Sequence, residues 1–240
     1  MKRTLAVLSA MLLAGFAAVS GAYEAIEVSN GGTISGKVVL AGDPPPRAKV
    51  EVSKDVEVCG KEPKLSEALI VGEDKGIQNA VVYLAGISKG KTMEPPAANL
   101  TLDQKGCWFH PHVMLFPSGT SVDVLNPDGV LHNFHTYSQA NPPLNRAQPK
   151  FKKSMTVKFD KPEARIKVAC DAHGWMSAYI FVQEHPYYTL TDASGAFDLT
   201  DVPAGEYELK VWHETLGESS QKVSVSAGGK ATASFELAGK

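Results

Sequence analysis

Cys170-Asp171-Ala172-His173-Gly174-Trp175-Met176 places a thiol, an imidazole and a thioether within seven residues, at C-x2-H-x2-M spacing. Upstream, Ile166 and Val168 alternate with the charged Arg165 and Lys167, so Cys170 continues the inward-facing register at the end of a predicted strand. Ser177 to Val182 reads as a returning strand, and the turn between them presents all three side chains from one loop. Soft sulfur beside imidazole selects copper over hard cations, and two histidines, a thiolate and a weak axial Met form the copper arrangement that exchanges single electrons. Zinc suits the set less well, because Met is a poor zinc ligand and structural zinc sites favour several thiolates. A binuclear copper centre would need a second cysteine in the loop. A trinuclear cluster would need several His-x-His pairs, whereas this chain has only His110-Pro111-His112.

The loop carries one histidine, so the second must come from elsewhere. Asn126-Pro127-Asp128-Gly129-Val130-Leu131-His132-Asn133-Phe134-His135 contains a His-Asn pair just after a turn, followed by an apolar residue. In these two segments the chain resembles the cupredoxins, and its loop spacing is similar to that of the amicyanin-like, short-loop members. The resemblance implies a Greek-key β-barrel with one mononuclear type 1 copper, held by His132, Cys170, His173 and Met176. It implies single-electron transfer, with the exposed edge of His173 as the electron port and Asn133 tying the two ligand loops together. Trp175 is expected either in an apolar docking face or as a shield for the metal. Four protein ligands leave no open position for a substrate, and no nucleophile–base pair or phosphate loop stands out, so no enzymatic activity is expected.

The other histidines read differently. His110 and His112 on a strand would face the same side and could hold a second metal with His135; the alternative is a surface edge interrupted by Pro111. In an extended strand His135 faces away from His132, which argues against both binding one ion. His185 and His213 stand beside Glu184 and Glu214, and surface positions are expected for them. Of the three cysteines, Cys59 and Cys107 lie in turn-rich text, and in an exported chain a mutual disulfide is the simplest account. A free thiol or a metal ligand at either position is the alternative.

These residues need a scaffold, and the text from residue 30 onward is strand grammar. Short alternating runs such as 32–40, 79–84, 120–125, 154–159, 165–170, 195–199, 206–212, 222–225 and 231–237 are cut by Gly, Pro, Asn and Asp. No long stretch has helical periodicity, so the expected class is all-β. The segment from Thr191 to Leu199, followed by Val202-Pro203-Ala204-Gly205-Glu206-Tyr207-Glu208-Leu209-Lys210-Val211, resembles the second half of a carboxypeptidase regulatory-like module. Thr33 to Leu40 and Ile77 to Leu84 fit its first half. The resemblance implies an Ig/transthyretin-like β-sandwich split around the barrel. The expected division is a signal peptide at 1–22, an N-terminal β segment at 23–97, the copper domain at 98–184 and the rest of the sandwich at 185–240. Two tandem domains after an N-terminal extension is the other reading.

Lys2 and Arg3 precede an apolar run from Leu5 to Val19, closed by the small residues Ser20-Gly21-Ala22, which predicts a cleaved export signal and a periplasmic, cell-surface or secreted protein. No later stretch is apolar enough to span a bilayer. The 24 bases and 26 acids of the chain argue against nucleic-acid binding. Eight bases against two acids between Arg146 and Lys167 would steer a redox partner with an acidic face, such as a cytochrome or a dehydrogenase; the plainer role of such a run is a solvated strand edge. Two further function classes remain beside electron transfer: copper storage, delivery or sensing, and a metal-free structural or interaction module.

Overall fold

Alternating apolar residues build strands almost throughout, and among the described residues helix is confined to Val56–Cys59 and a single 3-10 turn at Glu73–Lys75. The structure is a computed structural model that describes residues 22–239, so the predicted export signal, apart from Ala22, lies outside the described residues. Among the described residues no helix is long and apolar enough to cross a membrane.

The chain is all-β and has two bodies. In the first, a five-stranded sheet runs in the order Asn145–Gln148, His132–Thr136, Glu163–Ala169, Ser177–Gln183, Val113–Pro117. Facing it is a three-stranded sheet of Ser154–Phe159, Thr120–Leu125 and Leu100–Asp103. Two parallel pairings, Ser177–Gln183 on Val113–Pro117 and Leu100–Asp103 on Thr120–Leu125, require the long crossovers of a cupredoxin-like Greek-key barrel. The interior holds Leu102, Phe116, Val122, Val124, Phe134, Val157, Phe159, Ile166, Val168 and Ile180, the inward set of each alternating strand. Cys170 and Met176 are buried in the same cluster.

The second body is a β-sandwich made from both ends of the chain. One sheet orders Tyr188–Leu190, Val81–Ala85, Gly205–His213 and Gly217–Val225; the other pairs Gly32–Leu40 with Ala196–Val202, Lys230–Thr232 and Phe235–Leu237. Ile34, Val38, Leu84, Phe197, Leu209, Val211 and Val223 fill the space between them. The barrel is therefore inserted into the sandwich. The run 231–237, read as one strand, is broken in two because Ala233 crosses directly over Gly36, where any Cβ would overlap the Ala233 carbonyl.

A third apolar cluster joins the bodies. The indole of Trp212, on the sandwich, lies with its centroid 5.0 Å from the Tyr179 ring and 5.1 Å from that of Phe181, both on the barrel, and Val81 and Val113 complete the patch. Beside it, His112 is enclosed by Glu214 on one ring nitrogen and Glu67 at 3.8 Å from the other.

The open alternative of a second metal on His110, His112 and His135 finds no shared face here, and the surface positions expected for His185 and His213 are overturned. His110 is exposed while His112 is buried, so they do not share a face: the strand starts only at Val113, and period-2 alternation does not extend back through Pro111. His135 pairs with Asp171 at 2.9 Å, away from both. His185 and His213 are 1% and 3% exposed, so neither holds a surface position. His185 packs on Tyr23, Tyr187 and Tyr188, and burial pulls both imidazoles down to about 4.

Candidate metal centre

His132 opens the strand His132–Thr136, which pairs antiparallel with Glu163–Ala169 through His135 and Ala169. That register brings the end of the second strand, and Cys170 just beyond it, next to Asn133 and His132. The loop after Cys170 is wound tightly by three backbone bonds: His173 N–H to the Cys170 carbonyl, Met176 N–H to that of His173, and Cys170 N–H to that of Met176. His173 is thereby folded back over Cys170. The Nδ1 atoms of His132 and His173 stand 3.0 Å apart, and the Cys170 sulfur lies 3.9 and 3.7 Å from them. All three residues are buried.

The outer nitrogens decide what these atoms can do. The His132 Nε2 meets Asp128 Oδ2 at 3.0 Å and the His173 Nε2 meets Asp55 Oδ2 at 2.8 Å. An ionised carboxylate only accepts, so each Nε2 carries the proton and each Nδ1 turns a lone pair inward. Two lone pairs 3.0 Å apart repel unless a proton or a cation lies between them. The triangle is of the size that one ion spans when bonded to nitrogen at about 2.0 Å and to sulfur at about 2.3 Å. Carboxylates on the far nitrogen of metal-bound imidazoles fix the tautomer and raise ligand basicity. The donor set thus fits one soft or borderline transition metal.

The third donor is prepared as a thiolate. Burial works against charge on Cys170, but when the metal-free site holds a proton at the inward Nδ1 atoms, their bonds to the sulfur, with the Asn133 and His173 backbone N–H groups, outweigh it and bring the thiol to about 6. The Asn133 N–H points at the sulfur from 3.4 Å. The Asn133 side chain accepts from the Asp171 N–H and donates to Asn145 at 2.7 Å and Asp171 at 3.2 Å, which laces the His132 strand to the Cys170 loop. Met176 is 1% exposed and lies in the same buried apolar cluster as Cys170.

Cys59 and Cys107 form a disulfide, leaving Cys170 as the free cysteine. A second grouping of Cys107, Asp128 and His132 holds no thiolate, because the Cys107 sulfur is in that bond. One expectation is overturned: His173 has no exposed edge. It is fully buried, with Asp55 on its Nε2 and the Cys59 sulfur 3.8 Å away. Asp55 and Asp128 are the residues that motif reading missed. Asp128 was within reach of inspection, four residues before His132 in the turn. Asp55 is 118 residues from its partner and has no local signal.

The carboxypeptidase regulatory-like domain family matches residues 172–238. No curated protein matches the chain. Among solved structures, the chain is similar to the Cu-containing nitrite reductase of Thermus scotoductus SA-01, at 22% identity and a TM-score of 0.33, over 39% of this chain and 26% of the reductase. It is similar to amicyanin from Paracoccus versutus at 12% identity and a TM-score of 0.32, over 42% of this chain and 97% of that one. A purple cupredoxin from Nitrosopumilus maritimus aligns at 20% identity and a TM-score of 0.27, over 35% of this chain and all of its own. The family match starts upstream of the sandwich, since Ser177–Gln183 pairs within the barrel sheet.

Proposed function

We propose that this is an exported, periplasmic or surface electron carrier with one mononuclear copper on His132, Cys170, His173 and Met176, and with no enzymatic activity of its own. The observation that carries the reading is the buried triangle of the His132 and His173 Nδ1 atoms and the Cys170 sulfur, with a carboxylate on each outer Nε2. Copper bound there would supply a one-electron Cu(II)/Cu(I) couple with a thiolate ligand that favours Cu(I). The protein's own residues do the rest. Asp128 and Asp55 hold the two rings by their outer nitrogens, Asn133 ties the two loops and donates to the sulfur, and the apolar barrel end keeps bulk water off the donors. Its redox partner would be a protein with an acidic face, steered by the basic stretch between Arg146 and Lys167.

Adding Cu(II) to the purified protein tests this. Intense visible absorption from sulfur-to-copper charge transfer, reversible on cycling with a redox titrant, is the expected result, and Cys170→Ser abolishes it. Binding without that colour points to copper storage or delivery. Absence of binding leaves a structural module and overturns the proposal.

A further inference from the structure

We infer that the segment around Asp55 is a covalently anchored cover on His173, with Asp55 as its positioning residue, and that it leaves Trp175 as the side chain through which electrons reach the site. The inference rests on the copper reading for its electron route but not for the cover itself.

The cover is built from residues outside both sheets of the barrel. Asp55 precedes the one-turn helix Val56–Cys59 at the position where an aspartate usually caps the helix by accepting its free N–H groups. Here it makes no cap bond. Its backbone sits in the left-handed region, at φ 49°, a conformation that costs an L-residue energy and that Asp tolerates better than most. The carboxylate freed in this way reaches His173 Nε2 at 2.8 Å. At the other end of the helix, Cys59 is bonded to Cys107 and its sulfur rests 3.8 Å from the same nitrogen. Val52 and Val58 pack against the barrel core beside it. A helix of four residues has no stability of its own, so the disulfide and the Asp55–His173 bond are what keep it in place.

The consequence is a ligand ring that no partner can touch. The Trp175 ring centroid lies 5.1 Å from that of His173, and its indole N–H donates to the Cys107 carbonyl at 3.2 Å, so the ring is fixed by the same cover. Trp175 is half-buried, and its remaining surface reaches solvent. It is the π-system that connects the buried imidazole to the outside.

Two measurements on the full chain test this separately. In the metal-free protein, nitrogen-edited NMR should show a slowly exchanging His173 ring N–H. Asp55→Asn, which can still accept, keeps it, and Asp55→Ala loses it. A wild-type ring N–H exchanging as fast as free imidazole would overturn the cover, whatever copper does. In the copper-loaded protein, hexaammineruthenium(II) gives up one electron and the bound Cu(II) becomes Cu(I), with no bond made or broken. Trp175→Leu should slow this by about tenfold while Trp175→Phe preserves it, and Asp55→Ala should speed it by about tenfold. Unchanged rates in Trp175→Leu and Asp55→Ala would overturn the route through Trp175. A protein that binds no copper removes the route together with the proposed function and leaves the NMR result to decide the cover.

Discussion

Asp128 accepts the Nε2–H of His132 at 3.0 Å while its two oxygens also take the backbone N–H groups of Gly106 and Cys107, each at 2.7 Å. One carboxylate thus joins a candidate metal ligand to the loop that carries the disulfide. Burial opposes its charge, yet the bonds from His132, Cys107 and Gly106 hold it below the ordinary 3.8.

Asp128→Ala should therefore strike twice. It frees the His132 ring to turn, which lowers copper affinity by about 10- to 100-fold in a chelator competition. It also strands two N–H groups, which lowers stability in urea by about 1–3 kcal/mol. Unaltered affinity with lowered stability would make Asp128 a loop anchor only.

The disulfide spans a sequence separation of 48 and closes a loop that holds Val81–Ala85 of the sandwich and Leu100–Asp103, the first strand of the barrel, while the cover lies just before it. In the chain-entropy account its removal widens the unfolded ensemble by about 4 kcal/mol, and strain or residual structure reduces that figure in practice. Cys59→Ser/Cys107→Ser should lower unfolding stability by about 2–4 kcal/mol. Thiol counting under denaturing, non-reducing conditions should give one free thiol in the parent, that of Cys170.

Gly32–Leu40, Thr120–Leu125 and Ser154–Phe159 were readable residue for residue because each buries one face and alternates cleanly. Val113–Pro117 was not: Val113 faces the sandwich while Met114 and Phe116 face the barrel core, so both faces are apolar and alternation disappears. The same junction hid the burial of His213, whose neighbour Trp212 packs across the two bodies. His132, Cys170 and His173 stood out because metal chemistry restricts residue type and spacing within a loop. Asp55 is joined to its partner only by the fold, and a carboxylate in a charged, turn-rich stretch looks like any solvated residue.

Trp212 is 7% exposed and is the centrepiece of the contact between barrel and sandwich. Trp212→Ala leaves a cavity against Tyr179 and Phe181 and should cost about 3–5 kcal/mol. Denaturant unfolding followed separately by copper-site absorption and by far-ultraviolet dichroism should change from one shared transition to two. A single transition at the parent midpoint would show that the junction adds nothing.

His112 gives the junction a pH dependence. Burial disfavours its charge, but the bond and field of Glu214, the field of Glu67 and the Ser177 backbone outweigh that and raise it above the ordinary 6.5; of the other titratable groups facing it, His213 stays neutral at about 4 and Tyr179, edge-on to the ring, is raised above the ordinary 10 by burial and the Glu214 charge. A histidine raised on folding binds its proton more tightly in the native state than in the unfolded one. Its contribution is therefore complete below about pH 6.5 and is lost as pH rises through the native value. Urea midpoints measured from pH 6 to pH 9 should fall over that window in the parent and fall less in His112→Gln. Equal slopes in the two proteins would show that the Glu67–His112–Glu214 contact does not couple protonation to the docking of the two bodies.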